Sequence, residues 1–227
     1  MTRSANKLIP PDFATLPGLD ALDAVEVRVA DSAGHVGGAG AGEAESTGIG
    51  VHDEGDVPAA LGFDRAGLDA AGFDGKVGAT LLLPRAEGPD LVAVGLGDRA
   101  DAGPKALRDA GAAFARAAAR YTRVTLVLDL PETERAASIA ALVEGVLLAR
   151  YRYTVLASES KHVPLASLTL DVGDGDAAAD AAAVATALAA VRAAVVARDL
   201  ANTPPGHLTA TDMADIAEVL GARFGFE

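Results

Sequence analysis

The chain of 227 residues contains neither cysteine nor tryptophan. The lack of cysteine excludes disulfide bonds, thiolate catalysis and cysteine-based zinc sites. The N-terminal stretch MTRSANKLIPPDF has no apolar core and no small-residue cleavage site, so it does not resemble a secretory signal. No run of about eighteen apolar residues lacks a charge, which argues against a membrane-spanning segment. These absences predict a soluble cytoplasmic protein.

Basic residues are also scarce, with 19 Lys and Arg against 32 Asp and Glu and a formal net charge of −13. Binding to nucleic acid or to an anionic membrane requires clustered Lys and Arg. The acidic balance therefore argues against both partners and is typical of a soluble surface. Half of the residues are hydrophobic, which is enough to form a sizeable core.

The hydrophobic pattern predicts strands alternating with helices. Alternating valines predict a half-buried strand at residues 25–29. Further strands are predicted at residues 47–51, 76–84, 91–94, 124–128, 151–156 and 165–172, and helices at residues 64–71, from Pro104, from Pro131 and at residues 177–200. This order predicts an α/β fold, a three-layer sandwich in which helices flank a mixed, mostly parallel sheet. Gly111, within the apolar face of the helix that begins at Pro104, predicts close packing against a strand.

Glycine is concentrated in residues 32–46, SAGHVGGAGAGEAES. No Gly-Lys-Ser/Thr closes this run and no strand-to-helix switch brackets it, so it does not match a phosphate-binding loop. Its composition favours a linker. Residues 1–23 before the first predicted strand show little periodicity and are interpreted as a lead-in.

A second glycine pattern, Gly95-x-Gly97-x-x-Ala100, follows a predicted strand and partly matches the dinucleotide-binding fingerprint. Asp129 could then supply the ribose-binding acid. However, the next helix begins at Pro104 rather than on the glycines, and Asp129 lies about thirty residues after Gly97 where about twenty are expected. A tight turn at the end of the strand is favoured, and nucleotide binding stays an alternative.

Two groups of side chains are of types that bind metals but lack the spacing of a metal site. The first is His52, Asp53 and Glu54, and the second is Asp171, Asp174 and Asp176. The first group is three adjacent loop residues, whereas a metal site draws its ligands from converging elements or from a helical i, i+4 pair. The second group lacks the alternating pattern and the distal Glu of a calcium loop. There is also no Gly-x-Ser-x-Gly elbow and no His-Glu-x-x-His motif, so no active site can be assembled.

Residues 197–208, ARDLANTPPGHL, end the long predicted helix in a double-proline turn. Pro204 disfavours the helical conformation of Thr203, so the helix is expected to end near Asn202. His207 follows the prolines and is expected to brace this turn rather than to perform acid–base chemistry. So specific a turn predicts that a substantial further part of the protein follows Glu227.

Thr209 and Asp212 predict a capping box at the start of a last helix. The buried face predicted for this helix consists of Met213, Ile216, Ala217 and Leu220. Without a following domain that face would lack its cover, and exposed apolar surface of this kind is typical of an interaction site.

The stretch ARDLANTPPGHL resembles the signature of the leucyl aminopeptidase (cytosol aminopeptidase) family at the junction of its N-terminal and catalytic domains. Three upstream stretches resemble the family in the same order: LVAVGLGD at residues 91–98, LRDAGAAFARAA at residues 107–118 and EGVLLARYRYTVL at residues 144–156. The resemblance extends over residues 47–227 and is specific through this combination.

The resemblance implies three parts: a poorly matched segment at residues 1–46 with the glycine-rich loop, an N-terminal macro-domain-like α/β domain at residues 47–196, and residues 197–227 as the junction and the start of a truncated catalytic domain. It implies a parent enzyme that releases N-terminal amino acids from peptides, with two divalent ions (Zn, Mn or Mg) that activate a bridging water in a hexameric, cytoplasmic assembly.

The family's metal ligands lie in a Lys-containing glycine segment and in an NTDAEGR segment, and this sequence contains neither. Asn202-Thr203 precedes two prolines and therefore matches the junction. No catalytic, cofactor-binding or metal residue is transferred to any position, and the chain alone is expected to be inactive. Two alternatives stay open: a stand-alone module for a nucleotide or ADP-ribose-like ligand that uses loops such as residues 95–98, and a regulatory or assembly module, including DNA binding as in some family members.

Overall fold

The computed structural model describes residues 13–30, 45–130, 132–157 and 159–226. Its sheet has the strand order β1-β6-β5-β2-β4-β3. All neighbouring strands are parallel except β3, which is antiparallel to β4. The strands are β1 (Glu26–Val29), β2 (Glu45–His52), β3 (Thr80–Leu83), β4 (Asp90–Gly97), β5 (Arg123–Val127) and β6 (Ser167–Asp171). The predicted α/β fold with a mixed, mostly parallel sheet is confirmed.

Helices precede, separate and follow these strands. They are α1 (Pro17–Asp23), α2 (Arg65–Ala70), α3 (Pro104–Ala117), α4 (Arg135–Arg150), α5 (Ala177–Asn202) and α6 (Ala210–Phe224), with short 3-10 turns at Ala59–Leu61, Arg99–Asp101 and Glu132–Glu134. Asp176 caps the N-terminus of α5, since its carboxylate accepts hydrogen bonds from the N–H groups of Ala178 and Ala179. Such a side-chain cap satisfies N–H groups that have no partner within the helix.

Hydrophobic clusters lie on both faces of the sheet, which gives the three layers; on one face the cluster extends over β2, β3 and β4. The larger cluster joins alternate residues of β4, such as Val92 and Val94, to α1, α3, α4 and α5. The smaller cluster joins the intervening residues Leu91 and Ala93 to the Ala59–Leu61 turn and α2. This division follows from the alternation of side chains along a strand.

Close contacts between helices and strands require glycine at several core positions. A Cβ atom on Gly48 of β2 would lie 2.7 Å from the ring of Phe114 in α3. Gly111 does not pack against a strand, and that prediction is wrong. A Cβ atom there would lie 3.1 Å from the carbonyl oxygen of Leu142, because α3 packs closely on α4 at this point.

Three boundaries differ from those that the sequence predicts. The strand expected from Lys76 begins only at Thr80, since residues 76–79 form a turn in which Gly78 has a φ of 88°. Ser46, assigned to the glycine-rich linker, belongs to β2 and is buried, with its hydroxyl donating to the carbonyl of Asp90. Pro131 lies outside the described residues, and regular α-helix begins at Arg135.

Residues 151–156 do not form a strand, and that prediction is wrong. They are an irregular segment with a turn at Val155 and Leu156. Tyr151 and Tyr153 have the spacing of a strand. Their hydroxyls, however, form hydrogen bonds with residues at the end of α5. Residues 31–44, which include most of the glycine-rich segment, lie outside the described residues.

Within the described ranges, α5 is the one helix whose length and composition could cross a membrane. Its most apolar window has a mean hydropathy of 1.7, and 33% of that window is buried in the fold. A core helix can meet the same criterion, and Val191 and Val195 of α5 lie in the larger hydrophobic cluster.

Candidate functional site

The carboxylate of Asp199 joins three parts of the chain near the end of α5. It is fully buried. Its Oδ2 accepts hydrogen bonds from the backbone N–H groups of Gly18 (2.9 Å) and Leu19 (3.2 Å) at the start of α1. Its Oδ1 accepts a hydrogen bond of 3.0 Å from the hydroxyl of Tyr151, which follows α4. One side chain therefore fixes the positions of α1, α4 and α5.

The electrostatics of this pair follow from burial. Burial raises the pKa of Asp199, and the hydrogen bonds from Tyr151, Leu19 and Gly18 oppose that rise only in part. Burial also raises the pKa of Tyr151 to about 12. Tyr151 therefore stays protonated at neutral pH and acts as a hydrogen-bond donor to Asp199.

Thr203 and Asn202 complete the connection at the end of α5. Thr203 has an extended backbone, with φ −76° and ψ 122°, as its position before proline predicts. Its hydroxyl donates to the carbonyl oxygen of Asp199 (2.7 Å) and lies 3.0 Å from the hydroxyl of Tyr153. Asn202 Nδ2 donates to the hydroxyl of Tyr151 (3.2 Å). We call these five residues, Tyr151, Tyr153, Asp199, Asn202 and Thr203, the α5 junction.

The α5 junction is close-packed as well as hydrogen-bonded. A Cβ atom on Gly18 would lie 2.6 Å from the ring of Tyr151 and 2.7 Å from Oδ1 of Asp199. Only glycine allows α1 to approach this closely. The N-terminal sequence showed too little periodicity to predict α1.

Arg150, one residue before Tyr151, is a buried cation whose hydrogen-bond acceptors among the described residues are all backbone carbonyls. It is 7% exposed. Its guanidinium donates to the carbonyl oxygens of Ala118 (2.7 Å), Tyr121 (3.0 Å) and Val163 (2.8 Å). Burial, followed by the charge of Arg152, lowers its pKa. Arg150 therefore holds the C-terminal end of α3 and the residues before β6.

The last helix, α6, begins as predicted, but the set of its residues that is buried differs from the prediction. The capping box is present, and in it the carboxylate of Asp212 accepts a hydrogen bond of 2.7 Å from the N–H of Thr209. The same carboxylate also accepts a hydrogen bond of 2.7 Å from the hydroxyl of Thr209. Of the predicted buried face, Ile216 is buried and Leu220 is half-buried, whereas Met213 and Ala217 are exposed. The prediction is wrong for Met213 and Ala217, because the helix contacts the larger hydrophobic cluster through Ile216 and Leu220 alone.

His207 packs against another ring beside the α5 junction. Its centroid lies 4.7 Å from that of Phe13. This contact agrees with a bracing role in the turn.

The glycines at the end of β4 have a structural explanation. A Cβ atom on Gly95 would lie 2.0 Å from the carbonyl oxygen of Lys76, and Gly97 has a φ of 72°. The Nδ1 atom of His52 lies 3.0 Å from the carbonyl oxygen of Gly97. Asp129 is exposed. The geometry therefore favours a tight turn over a dinucleotide fingerprint.

The described residues do not fit the two-metal site that the family resemblance implies. Within the described ranges, no three His, Asp or Glu side chains come close enough to hold an ion. Asp176 caps α5, and His52 is turned to a backbone carbonyl. The described ranges therefore offer no ligand set to assign to the metal pair.

Residues 65–160 match the model of the cytosol aminopeptidase family, N-terminal domain. The matched range contains all three upstream stretches of the resemblance and ends before ARDLANTPPGHL. A probable cytosol aminopeptidase from Microcystis aeruginosa is 34% identical over 158 residues, which cover 67% of this chain and 31% of that relative. The chain carries the N-terminal domain of the cytosol aminopeptidase family.

Solved structures support the assignment to the cytosol aminopeptidase family. The bottromycin maturation enzyme BotP in complex with Mn is 31% identical with a TM-score of 0.64, and the match covers 80% of this chain and 37% of that chain. A mutant of tomato leucine aminopeptidase is 20% identical with a TM-score of 0.71, over 88% of this chain and 43% of that chain, and is similar in fold alone. The chain spans 30 to 43% of the length of the curated relatives it matches.

Proposed function

We propose that this chain is the non-catalytic N-terminal domain of a leucyl aminopeptidase-like metallo-exopeptidase, and that it does not hydrolyse peptides by itself. The family is a family of aminopeptidases, which are hydrolases. The parent enzyme would release N-terminal amino acids from peptides through two divalent ions held by its catalytic domain. The same proposal includes a parent enzyme that is cytoplasmic and hexameric, and an α/β domain that is macro-domain-like.

The hydrogen bonding of the α5 junction is the observation that carries the proposal. The carboxylate of Asp199 accepts three hydrogen bonds from within the chain, and the hydroxyl of Thr203 has two partners. A residue that activates a substrate must direct a polar atom to it. The polar atoms of this segment are instead used to fix the fold, which supports a structural role.

The proposed arrangement keeps the three parts that the sequence suggests. Residues 47–196 would form the N-terminal domain, and residues 197–227 would be the junction and the beginning of the catalytic domain. Residues 1–46 would be a poorly matched N-terminal segment with the glycine-rich loop, although β1 from this part is an edge strand of the same sheet. The catalytic domain would be the principal partner of the chain.

Hydrolysis of leucine p-nitroanilide tests the absence of activity. The pure 227-residue chain, of verified mass, is assayed with added Mn²⁺ or Zn²⁺, with an active leucine aminopeptidase as the positive control. We expect no metal-dependent release of nitroaniline above the blank. Robust hydrolysis that elutes with the chain in size-exclusion chromatography would overturn the proposal.

The alternative of a nucleotide or ADP-ribose module is less well supported. Gly95 and Gly97 are required by backbone contacts and by a positive φ, respectively, so they need no ligand to explain them. Calorimetry against NAD, ATP and ADP-ribose separates the two ideas. Saturable heat with any of the three would favour the binding module.

A further inference from the structure

A pocket beside the α5 junction has a strongly uneven charge. Its volume is about 200 Å³, and α1, the end of α4 and the segment before β6 enclose it. Three of its lining side chains are Arg150, Arg152 and His162, whereas no described Asp or Glu is among the lining residues. Two arginines and an imidazole, with no described carboxylate, thus line one pocket of a chain with a net charge of −13.

No carboxylate among the described residues neutralises the charge of Arg150. Its recorded partners in the described structure are three backbone carbonyl oxygens, and its buried Nε atom has no hydrogen-bond partner. A buried charge without a counter-ion is costly, because the surrounding medium screens it poorly. An anion near this guanidinium would lower that cost.

Arg152 extends the positive charge toward solvent, and His162 adds an imidazole to the lining. Arg152 is exposed and donates to the carbonyl oxygens of Ala149 and Tyr151, and no carboxylate pairs with it among the described residues. His162 is half-buried. Its pKa is lowered by burial, and also by the charges of Arg150 and Arg152. The pocket therefore disfavours a further positive charge and favours a negative one.

Other titratable groups near the pocket do not cancel the positive charge of Arg150 and Arg152. Tyr151, on its wall, has a pKa of about 12 and is neutral. Asp199 is not among the lining residues, and burial raises its pKa, which favours its neutral form. Glu159 and Lys161 are exposed in the neighbouring loop and carry opposite charges.

We propose that this pocket binds a small oxyanion, a phosphate or carboxylate group, between Arg152 and His162 and beside the buried cation of Arg150. Planar guanidinium groups suit both kinds of oxyanion. The volume of about 200 Å³ lies below the range of about 300–1,000 Å³ typical of sites for drug-sized ligands, so the ligand is a small anion or one end of a larger molecule. The proposal does not depend on peptidase activity.

Binding is measured by titrating the 227-residue chain with inorganic phosphate and, separately, with sodium acetate at constant ionic strength. Proton NMR follows the imidazole signals, and the His162→Gln variant identifies the signal of His162. A bound anion stabilises the imidazolium, so we expect the pKa of His162 to rise on saturation. Saturation by phosphate alone assigns the site to phosphoryl groups, and saturation by acetate alone assigns it to carboxylates.

Arg152→Gln and Lys161→Gln form a matched pair, since each removes one exposed cation but only Arg152 lines the pocket. We expect Arg152→Gln to weaken anion binding about tenfold or more, the factor that corresponds to one charge-assisted hydrogen bond. We expect Lys161→Gln to leave the dissociation constant within about twofold, as for a screened surface charge. Neither variant touches the hydrophobic clusters, so both should fold.

Two results would overturn the proposal. One is the absence of saturable change at His162 with either anion up to about 10 mM, where a site of millimolar affinity would be mostly filled. The other is an equal loss of binding in Arg152→Gln and Lys161→Gln, which would indicate general surface attraction instead of a defined site.

Discussion

The hydroxyl of Tyr151 donates a hydrogen bond of 3.0 Å to Oδ1 of Asp199, and so joins residues 48 positions apart in the chain. The two residues belong to the stretches EGVLLARYRYTVL and ARDLANTPPGHL, both of which resemble the cytosol aminopeptidase family. These stretches therefore meet in space. Their polar residues stabilise one tertiary contact between α4, α5 and α1.

Replacing Tyr151 by Phe should destabilise the domain by about 1–2 kcal/mol, because Oδ1 of the buried Asp199 loses its donor. Tyr153→Phe is the matched control. Tyr153→Phe should lower the free energy of unfolding by less, since the hydroxyl of Thr203 keeps the carbonyl of Asp199 as a partner. Urea unfolding followed by circular dichroism gives both values. A larger loss in Tyr153→Phe would show that the contact with Asp199 is not the dominant one.

Asp199 should give the stability a distinct pH dependence. Burial raises its pKa in the folded state, so its contribution is complete below the unfolded pKa of about 3.9 and is lost as pH rises through the folded pKa. Asp199→Asn cannot titrate. The free energy of unfolding of the wild type, minus that of Asp199→Asn, should therefore fall as pH increases through this window.

Urea unfolding of the wild type and of Asp199→Asn at matched pH values measures this difference. Subtracting one free energy of unfolding from the other removes the contribution of the other carboxylates, which titrate in both proteins. A difference that grows with pH would mean that the donors to Asp199 outweigh its burial and that its folded pKa is lowered.

Close packing at the start of α1 can be tested with glycine substitutions. Gly18→Ala places a Cβ atom 2.6 Å from the ring of Tyr151, and we expect a loss of about 1–3 kcal/mol from this overpacking. Gly206→Ala is the control, since no atom lies within 4 Å of its added Cβ. Thermal unfolding should separate the two variants clearly. Equal midpoints would show that α1 can move away without cost.

The sheet could be predicted largely from sequence because its strands depend on local patterns. Alternating valines indicate β1, and the apolar run from Leu91 indicates β4, which is buried on both faces. The end of α5 could also be predicted, because Pro204 restricts Thr203 whatever the surroundings. These features are properties of short segments.

The parts that could not be predicted depend on distant residues. Helix α1 has seven residues, which is too short to be stable alone, and its N-terminal N–H groups are bound by Asp199, 181 positions away from Gly18. The tyrosines at 151 and 153 have the spacing of a strand, but hydrogen bonds to α5 determine their conformation. The pocket around Arg150 brings together α1, α4 and residues before β6, so no sequence motif identifies it.

The ion pair of Arg135 and Asp180 allows a comparison between buried and exposed charges. Arg135 Nη2 lies 2.8 Å from Asp180 Oδ2, and the two side chains are 15% and 7% exposed. The same guanidinium donates to the carbonyl oxygens of Val172 and Gly173, at the end of β6. Arg135→Gln would leave the carboxylate of Asp180 buried without its cation, and we expect a loss of about 3 kcal/mol or more.

Lys105→Gln is the matched control, because it removes the cation of an exposed i, i+4 pair in which Lys105 and Asp109 are 90% and 51% exposed. Such a pair contributes about 0.5 kcal/mol or less. Urea unfolding at low and high salt measures both variants. The effect of Lys105→Gln should shrink further at high salt, since exposed charges are screened, whereas that of Arg135→Gln should persist. A small, salt-sensitive effect for Arg135→Gln would show that water reaches Asp180 and replaces the lost guanidinium.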